Sequence, residues 1–157
     1  MTPHDVDILL VDDHAPDAEL TLYALCLDNV DHHVYVAHDG PEALDFLFCR
    51  GPFAGRSFAS PPAVVLLDLK LPKVDGLEVL RQVKADPRTR AIPVVVLTSS
   101  KVPRDVRQCY RLGVNSYVQK PVNFSQFRAA VKELGAYWLS LNEPPTAGAF
   151  SADGPRG

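Results

Sequence analysis

The stretch Val64-Val65-Leu66-Leu67-Asp68 constrains this chain more than any other. Four consecutive apolar residues leave no polar face, so a strand made of them must be covered on both sides. That situation belongs to the middle of a parallel sheet packed between helices. Such a strand delivers its last residue to the carboxyl edge of the sheet, where open α/β folds place their sites. Asp68 is therefore predicted to stand at the mouth of a crevice on a stiff support.

Other segments repeat the theme. Val6–Val11 is nearly all apolar and ends in Asp12-Asp13. Pro16 suits the first turn of a helix, and Leu20, Tyr23, Ala24 and Leu27 recur at helical spacing, which predicts a helix over 16–29. Val34–Ala37 is a second strand. Asp39-Gly40 makes a turn, and Asp39 offers a cap for a helix starting near Pro41, with Ala43, Leu44, Leu47 and Phe48 inward. Residues 50–62, rich in Gly, Pro, Ser and Ala and without a period, read as a long surface loop. A helix is predicted over 74–85 with Leu77, Val79, Leu80 and Val83 as its apolar set, closed by Asp86-Pro87. Ile92–Leu97 is the fourth strand and runs into Thr98-Ser99-Ser100. A helix over 103–112 stops at Gly113. Ser116–Gln119 is a short fifth strand ending in Lys120-Pro121, and the last helix spans 123–142.

Five strands alternating with helices demand parallel pairing and right-handed crossovers. The predicted class is α/β: a doubly wound five-stranded parallel sheet, flavodoxin-like, in the order 2-1-3-4-5. Residues 1–5 are a polar lead-in, 1–142 form one domain, and 143–157, rich in Pro, Gly and Ala, are expected to be a disordered tail.

Composition excludes some classes. The net charge is -3, and no Lys/Arg cluster offsets it, which argues against direct nucleic-acid binding. No apolar run reaches membrane-spanning length, and the N-terminus is too polar for a secretory signal, so a cytoplasmic protein is expected. Cys26, Cys49 and Cys109 are odd in number and widely spaced, as idle reduced thiols would be.

All carboxyl ends of a parallel sheet lie on one edge. That edge collects Asp12 and Asp13, Asp68, Thr98 and Lys120. Three ionised carboxylates within about 5 Å repel by roughly 3 kcal/mol per pair at an effective dielectric near 20. Lys120 offsets part of this, and a divalent cation of the Mg²⁺ kind would offset the rest. A metal beside a carboxylate and a lysine suits phosphoryl transfer. In that chemistry Asp68 is the nucleophile, Asp13 and Asp12 hold the metal, Lys120 pairs with phosphoryl oxygens and Thr98 hydrogen-bonds one of them.

The pattern resembles the receiver domain of two-component response regulators. The matching residues are Asp12-Asp13, Asp68 in Leu67-Asp68-Leu69-Lys70-Leu71-Pro72, Asp75-Gly76, Thr98-Ser99 and Lys120-Pro121. The resemblance covers residues 6–140. It implies that Asp68 accepts a phosphoryl group from a sensor histidine kinase, with Mg²⁺ held by Asp13, Asp68 and the Lys70 backbone carbonyl. It also implies a switch made by Thr98 and Tyr117: phosphate draws Thr98 inward, and Tyr117 packs into the vacated space. The long 50–62 loop, Asp-Leu-Lys-Leu-Pro and Ile92–Thr98 further resemble the small regulators paired with bacterial phytochromes, which implies a bacteriophytochrome partner. His14 borders the metal site and is expected to be an exposed, idle side chain.

No output domain is expected after the receiver, so the signal must leave by protein contact or phosphate flow. In the last helix Phe124, Phe127, Val131, Leu134, Trp138 and Leu141 step by three and four. The first four are expected in the core. Trp138 and Leu141 are expected to extend past the sheet and support a homodimer. Two other functions compete with the non-enzymatic signalling reading. A haloacid-dehalogenase-type phosphatase would need a second Asp two residues after the nucleophile, where Lys70 stands. A phosphate-independent scaffold would not need the full acid, Thr and Lys set.

Overall fold

The structure, a computed structural model, describes residues 6–26 and 33–145. The polar lead-in, the end of the first predicted helix at 27–29 and most of the predicted tail, 146–157, lie outside the described residues.

Strands β1 (Ile8–Val11), β2 (Val34–Ala37), β3 (Val64–Leu67), β4 (Val94–Thr98) and β5 (Ser116–Gln119) form one sheet in the order β2-β1-β3-β4-β5. Every pairing is parallel. Helices α1 (Ala15–Leu25), α2 (Gly40–Leu47), α3 (Gly76–Ala85), α4 (Pro103–Leu112) and α5 (Phe124–Ala136) alternate with the strands. The predicted class and order are those observed.

The apolar runs behave as their composition requires. β1, β3 and β4 are buried at every position, whereas the edge strands β2 and β5 are mostly half-exposed. Alternate residues of each inner strand serve opposite faces. Leu9, Val11, Val65, Leu67, Val94 and Val96 meet α2, α3 and α4. Ile8, Leu10, Val64, Leu66, Val95 and Leu97 meet α1 and α5. At about 25 cal/mol per Å² of apolar area, this double coverage dominates the fold's stability.

Caps set the helix starts. Asp39 accepts the Glu42 N–H at 2.8 Å, and Asp75 accepts the Glu78 N–H at 2.9 Å. Helix α3 therefore begins at Gly76 rather than at Val74. A Cβ on Gly76 would overlap the Asp68 carbonyl, so glycine here lets α3 approach the end of β3. Gly113, at φ 102°, closes α4 in the left-handed conformation, as its position predicts.

Several expectations need correction. Helix α1 buries Ala18, Thr21, Ala24 and Leu25, whereas Tyr23 is 56% exposed. The inward face of α1 is thus turned from the predicted one. Helix α2 buries Phe46, which stacks on Tyr35 with centroids 5.1 Å apart. The 50–62 segment is anchored rather than only superficial. It holds a 3-10 turn, Gly51–Phe53, and Phe53 meets both Tyr35 and Phe46 edge-on. Arg56 is buried, lies 3.7 Å above the Phe46 ring centroid and donates to the Phe46 carbonyl and to Ser60 O. Phe124, expected in the core, is exposed. After Ala136 the last helix widens into a π-helical turn, Tyr137–Leu141. There Trp138 packs on the α1/α5 core instead of extending past it, and Leu141 is exposed.

Candidate phosphoacceptor site

Sheet hydrogen bonding continues past the strand ends and fixes the rim. Asp12 N donates to Ala37 O at 3.1 Å, Asp68 N to Val11 O at 3.0 Å and Lys120 N to Thr98 O at 2.7 Å. Side chains from β1, β3 and β5 therefore start from one rigid edge.

Lys120 is the centre of this rim. Its side chain is 8% exposed, and Nζ donates to Asp12 Oδ2 at 2.9 Å, Asp17 Oδ2 at 3.0 Å and Asp68 Oδ2 at 3.1 Å. Burial alone would lower the ammonium's pKa. The hydrogen bond to Asp12 and the charge of Asp68 outweigh it and hold the group above the ordinary lysine value. Burial pushes Asp12 up, opposed by the His14 N–H at 2.9 Å and by Lys120. For Asp17 burial again acts upward, but Lys120 and His14 prevail and its carboxyl lies below the usual range. His14 Nδ1 lies 3.2 Å from Asp17 Oδ1, so His14, expected to be idle, has a partner.

The structure brings Asp12, Asp68 and Lys120 together. Thr98 is fully buried at the end of β4, and its Oγ1 accepts the Ser100 N–H at 3.4 Å. Tyr117 is half-buried, and its hydroxyl donates to Ser100 O at 2.9 Å. Thr98 and Tyr117 thus meet through the β4–α4 loop. Asp13 is not on Lys120; it faces an adjoining cleft lined also by Lys70, Leu71, Asp75 and Asp105. Asp17 was missed by sequence reasoning. The available signal was an acid one turn after Asp13 in a helix that begins at the rim.

Among the described residues no three His, Cys, Asp or Glu side chains stand as a ready-made metal cage. Lys120 instead draws Oδ2 of three carboxylates to itself. The donor chemistry nevertheless fits a hard divalent cation. Asp12 Oδ1 and Asp68 Oδ1 each accept a backbone N–H, from His14 and Lys70, and keep a lone pair. Asp12, Asp17 and Asp68 share one ammonium, and Asp13 adds a fourth carboxylate in the adjoining cleft, so the rim is rich in negative charge.

An open parallel sheet whose carboxyl rim sets several acids around one buried lysine is the architecture of receiver domains. The chain belongs to that family: residues 8–132 match the response regulator receiver domain. It is 45% identical over 138 residues to the probable methanogenesis regulatory protein FilR2 of Methanothrix harundinacea, covering 88% of this chain and 86% of that protein. It is 39% identical over 141 residues to response regulator Rcp1 of Synechocystis, covering 89% and 93%. The Mn²⁺-bound form of Rcp1 superimposes with a TM-score of 0.82 at 37% identity, over 88% of this chain and 98% of that one. The phosphorylated cyanobacterial phytochrome response regulator RcpA gives 0.83 at 42%, over 88% and 97%. The bacteriophytochrome response regulator AtBRR gives 0.68 at 54%, over 87% and 96%. Both parts of the resemblance stand: a receiver, similar to regulators associated with phytochromes. The dehalogenase alternative is set aside. Among the described residues no helix is long and apolar enough to cross a membrane.

Proposed function

We propose that this chain is a phosphoacceptor, taking on Asp68 the phosphoryl group of a sensor histidine kinase of the phytochrome type. An Asp68 oxygen bonds the phosphorus as the P–N bond of the kinase phosphohistidine breaks, with the electron pair staying on the imidazole. The observation that carries this reading is the buried Lys120 ammonium 3.1 Å from Asp68 Oδ2. A cation fixed there meets the charge that a phosphoryl oxygen brings. Thr98 Oγ1, which accepts from Ser100, keeps its own proton to donate to a second oxygen. Drawn inward, Thr98 shifts the Ser100 segment, and Tyr117 follows into the vacated space.

Asp13, Asp12, Asp68 and the Lys70 carbonyl would hold Mg²⁺. When bound, this ion neutralises phosphoryl oxygens during transfer. The donor set and the Mn²⁺-bound form of Rcp1 support this assignment. The protein acts on no separate substrate; it supports its own phosphorylation and dephosphorylation. RcpA and AtBRR support a phytochrome-type kinase. Three free thiols suit the cytoplasm, and self-association would run through the exposed end of the last helix.

Incubation with acetyl phosphate and Mg²⁺, read on a phosphate-affinity gel, is expected to label the wild type and not Asp68→Asn. Equal labelling of both would move the acceptor elsewhere. Transfer from a phosphorylated bacteriophytochrome kinase but not from an unrelated sensor kinase would support the pairing, and the reverse would refute it.

A further inference from the structure

We infer that Asp17 is a positioning residue that competes with the phosphoryl group for the Lys120 ammonium and so weakens the phosphorylated state. The inference rests on the phosphoacceptor reading and gives a role to a residue which that reading leaves unused.

An ammonium has three hydrogens, and Lys120 spends all three on carboxylates: Asp12 at 2.9 Å, Asp17 at 3.0 Å and Asp68 at 3.1 Å. A phosphoryl oxygen arriving at Asp68 needs one of them, so a carboxylate must let go. Asp12 is a poor candidate. Its side chain is 3% exposed, so water has no room to take the ammonium's place on the oxygen that Lys120 would leave bare. Asp68 is the point of attachment. Asp17 is different: its side chain is 33% exposed, and its second oxygen lies 3.2 Å from His14 Nδ1. Water and the imidazole can satisfy it once Lys120 turns away.

Asp17 does not leave the scene after release. Its backbone is pinned in the first turn of α1, where its carbonyl accepts the hydroxyl of buried Thr21 at 2.8 Å. The carboxylate stays within reach of Lys120 and continues to pull on it, against the phosphoryl oxygen. It also leaves another negative charge beside an incoming anion. Removing Asp17 costs Lys120 little placement, because Asp12 and Asp68 still hold it from two sides. Loss of competition therefore outweighs loss of orientation.

The test is the affinity for beryllofluoride at fixed Mg²⁺, by isothermal titration calorimetry on the full chain, beside acetyl phosphate labelling. Asp17→Asn is expected to bind the mimic about five-fold more tightly than wild type, the scale of one charge-assisted hydrogen bond at a half-exposed site. Asp17→Glu, which restores the charge, should return the affinity toward wild type. Asp45→Asn, which removes a surface ion pair with Arg50, should leave it unchanged. Equal or weaker binding by Asp17→Asn, in a wild type that labels on Asp68, would overturn the inference alone. A wild type that neither labels nor binds the mimic would remove the phosphoacceptor reading and the inference together. A merely structural role for Asp17 would shift the unfolding midpoint and not this affinity.

Discussion

Charge balance decides what the rim residues can do. Lys120 is held protonated by Asp12 and Asp68 despite its burial, so it remains a cation across the neutral range. Asp13 adds a further carboxylate that this ammonium does not touch. In the proposed Mg²⁺ site that carboxylate would destabilise the fold without the ion and would become a ligand with it. Asp13→Asn is therefore expected to raise stability in EDTA by up to about 1 kcal/mol, since a partly solvated like-charge repulsion is modest. Wild type should gain about 1.4 kcal/mol when Mg²⁺ reaches ten times its dissociation constant, and Asp13→Asn should lose most of that gain. Thermal unfolding with and without Mg²⁺ measures both. An Asp13→Asn response to Mg²⁺ equal to that of wild type would remove Asp13 from the ligand set.

Among the elements, α2 shows how local chemistry holds a helix next to the rim. Asp39 caps it, and Lys73 Nζ lies 3.2 Å from the other Asp39 oxygen. Glu42 accepts the His38 N–H at 2.9 Å and the Tyr35 hydroxyl at 2.8 Å. The Glu42 N–H, together with Lys73, holds Asp39 below the usual carboxylate range. For Glu42, burial acts upward, and the bonds from His38 and Tyr35 overcome it. Both groups bind fewer protons folded than unfolded near pH 4. Their contribution is fully present above the unfolded carboxylate range and is lost as pH falls through the lower folded values. Urea midpoints for wild type should fall between pH 5 and pH 3, with a shallower fall in Asp39→Asn/Glu42→Gln. Asp39→Ala at pH 7 should cost about 1 kcal/mol, the usual worth of such a cap.

The 50–62 segment depends on one residue in the same way. Arg56→Ala removes a desolvated cation–π contact worth about 2 kcal/mol and the donors to Phe46 O and Ser60 O. Limited chymotrypsin digestion is then expected to cut at Phe53 or Phe58 faster than in wild type. An unchanged pattern would mean that the aromatic cluster alone holds the segment.

At the scale of the whole molecule, helices shield both faces of the sheet, so other proteins must meet its rims or the outer faces and ends of the helices. The last turn illustrates this. Trp138 is committed to the core, so a homodimer there would be built on Leu141 and Tyr137, 77% and 48% exposed. Leu141→Ser should then lower the sedimentation coefficient at high micromolar concentration and leave Asp68 labelling intact. A monomeric wild type, with and without beryllofluoride, would end the dimer proposal.

Much of this protein follows from local pattern. Runs such as Val64–Leu67 have no polar face, so they had to be inner parallel strands, and the acids, Thr98 and Lys120 that end them had to share a rim. Caps and stops at Asp39 and Gly113 are equally local, set by one side chain or one φ angle. Only the tertiary structure decided how the helices turn on the sheet. It buried Thr21 instead of Tyr23 and brought Asp17 to Lys120 across 103 residues of sequence. It also carried Arg56 over Phe46 and folded Trp138 inward. Strand periodicity is a property of neighbouring residues, whereas helix rotation and the pairing of distant charges depend on packing against the whole sheet.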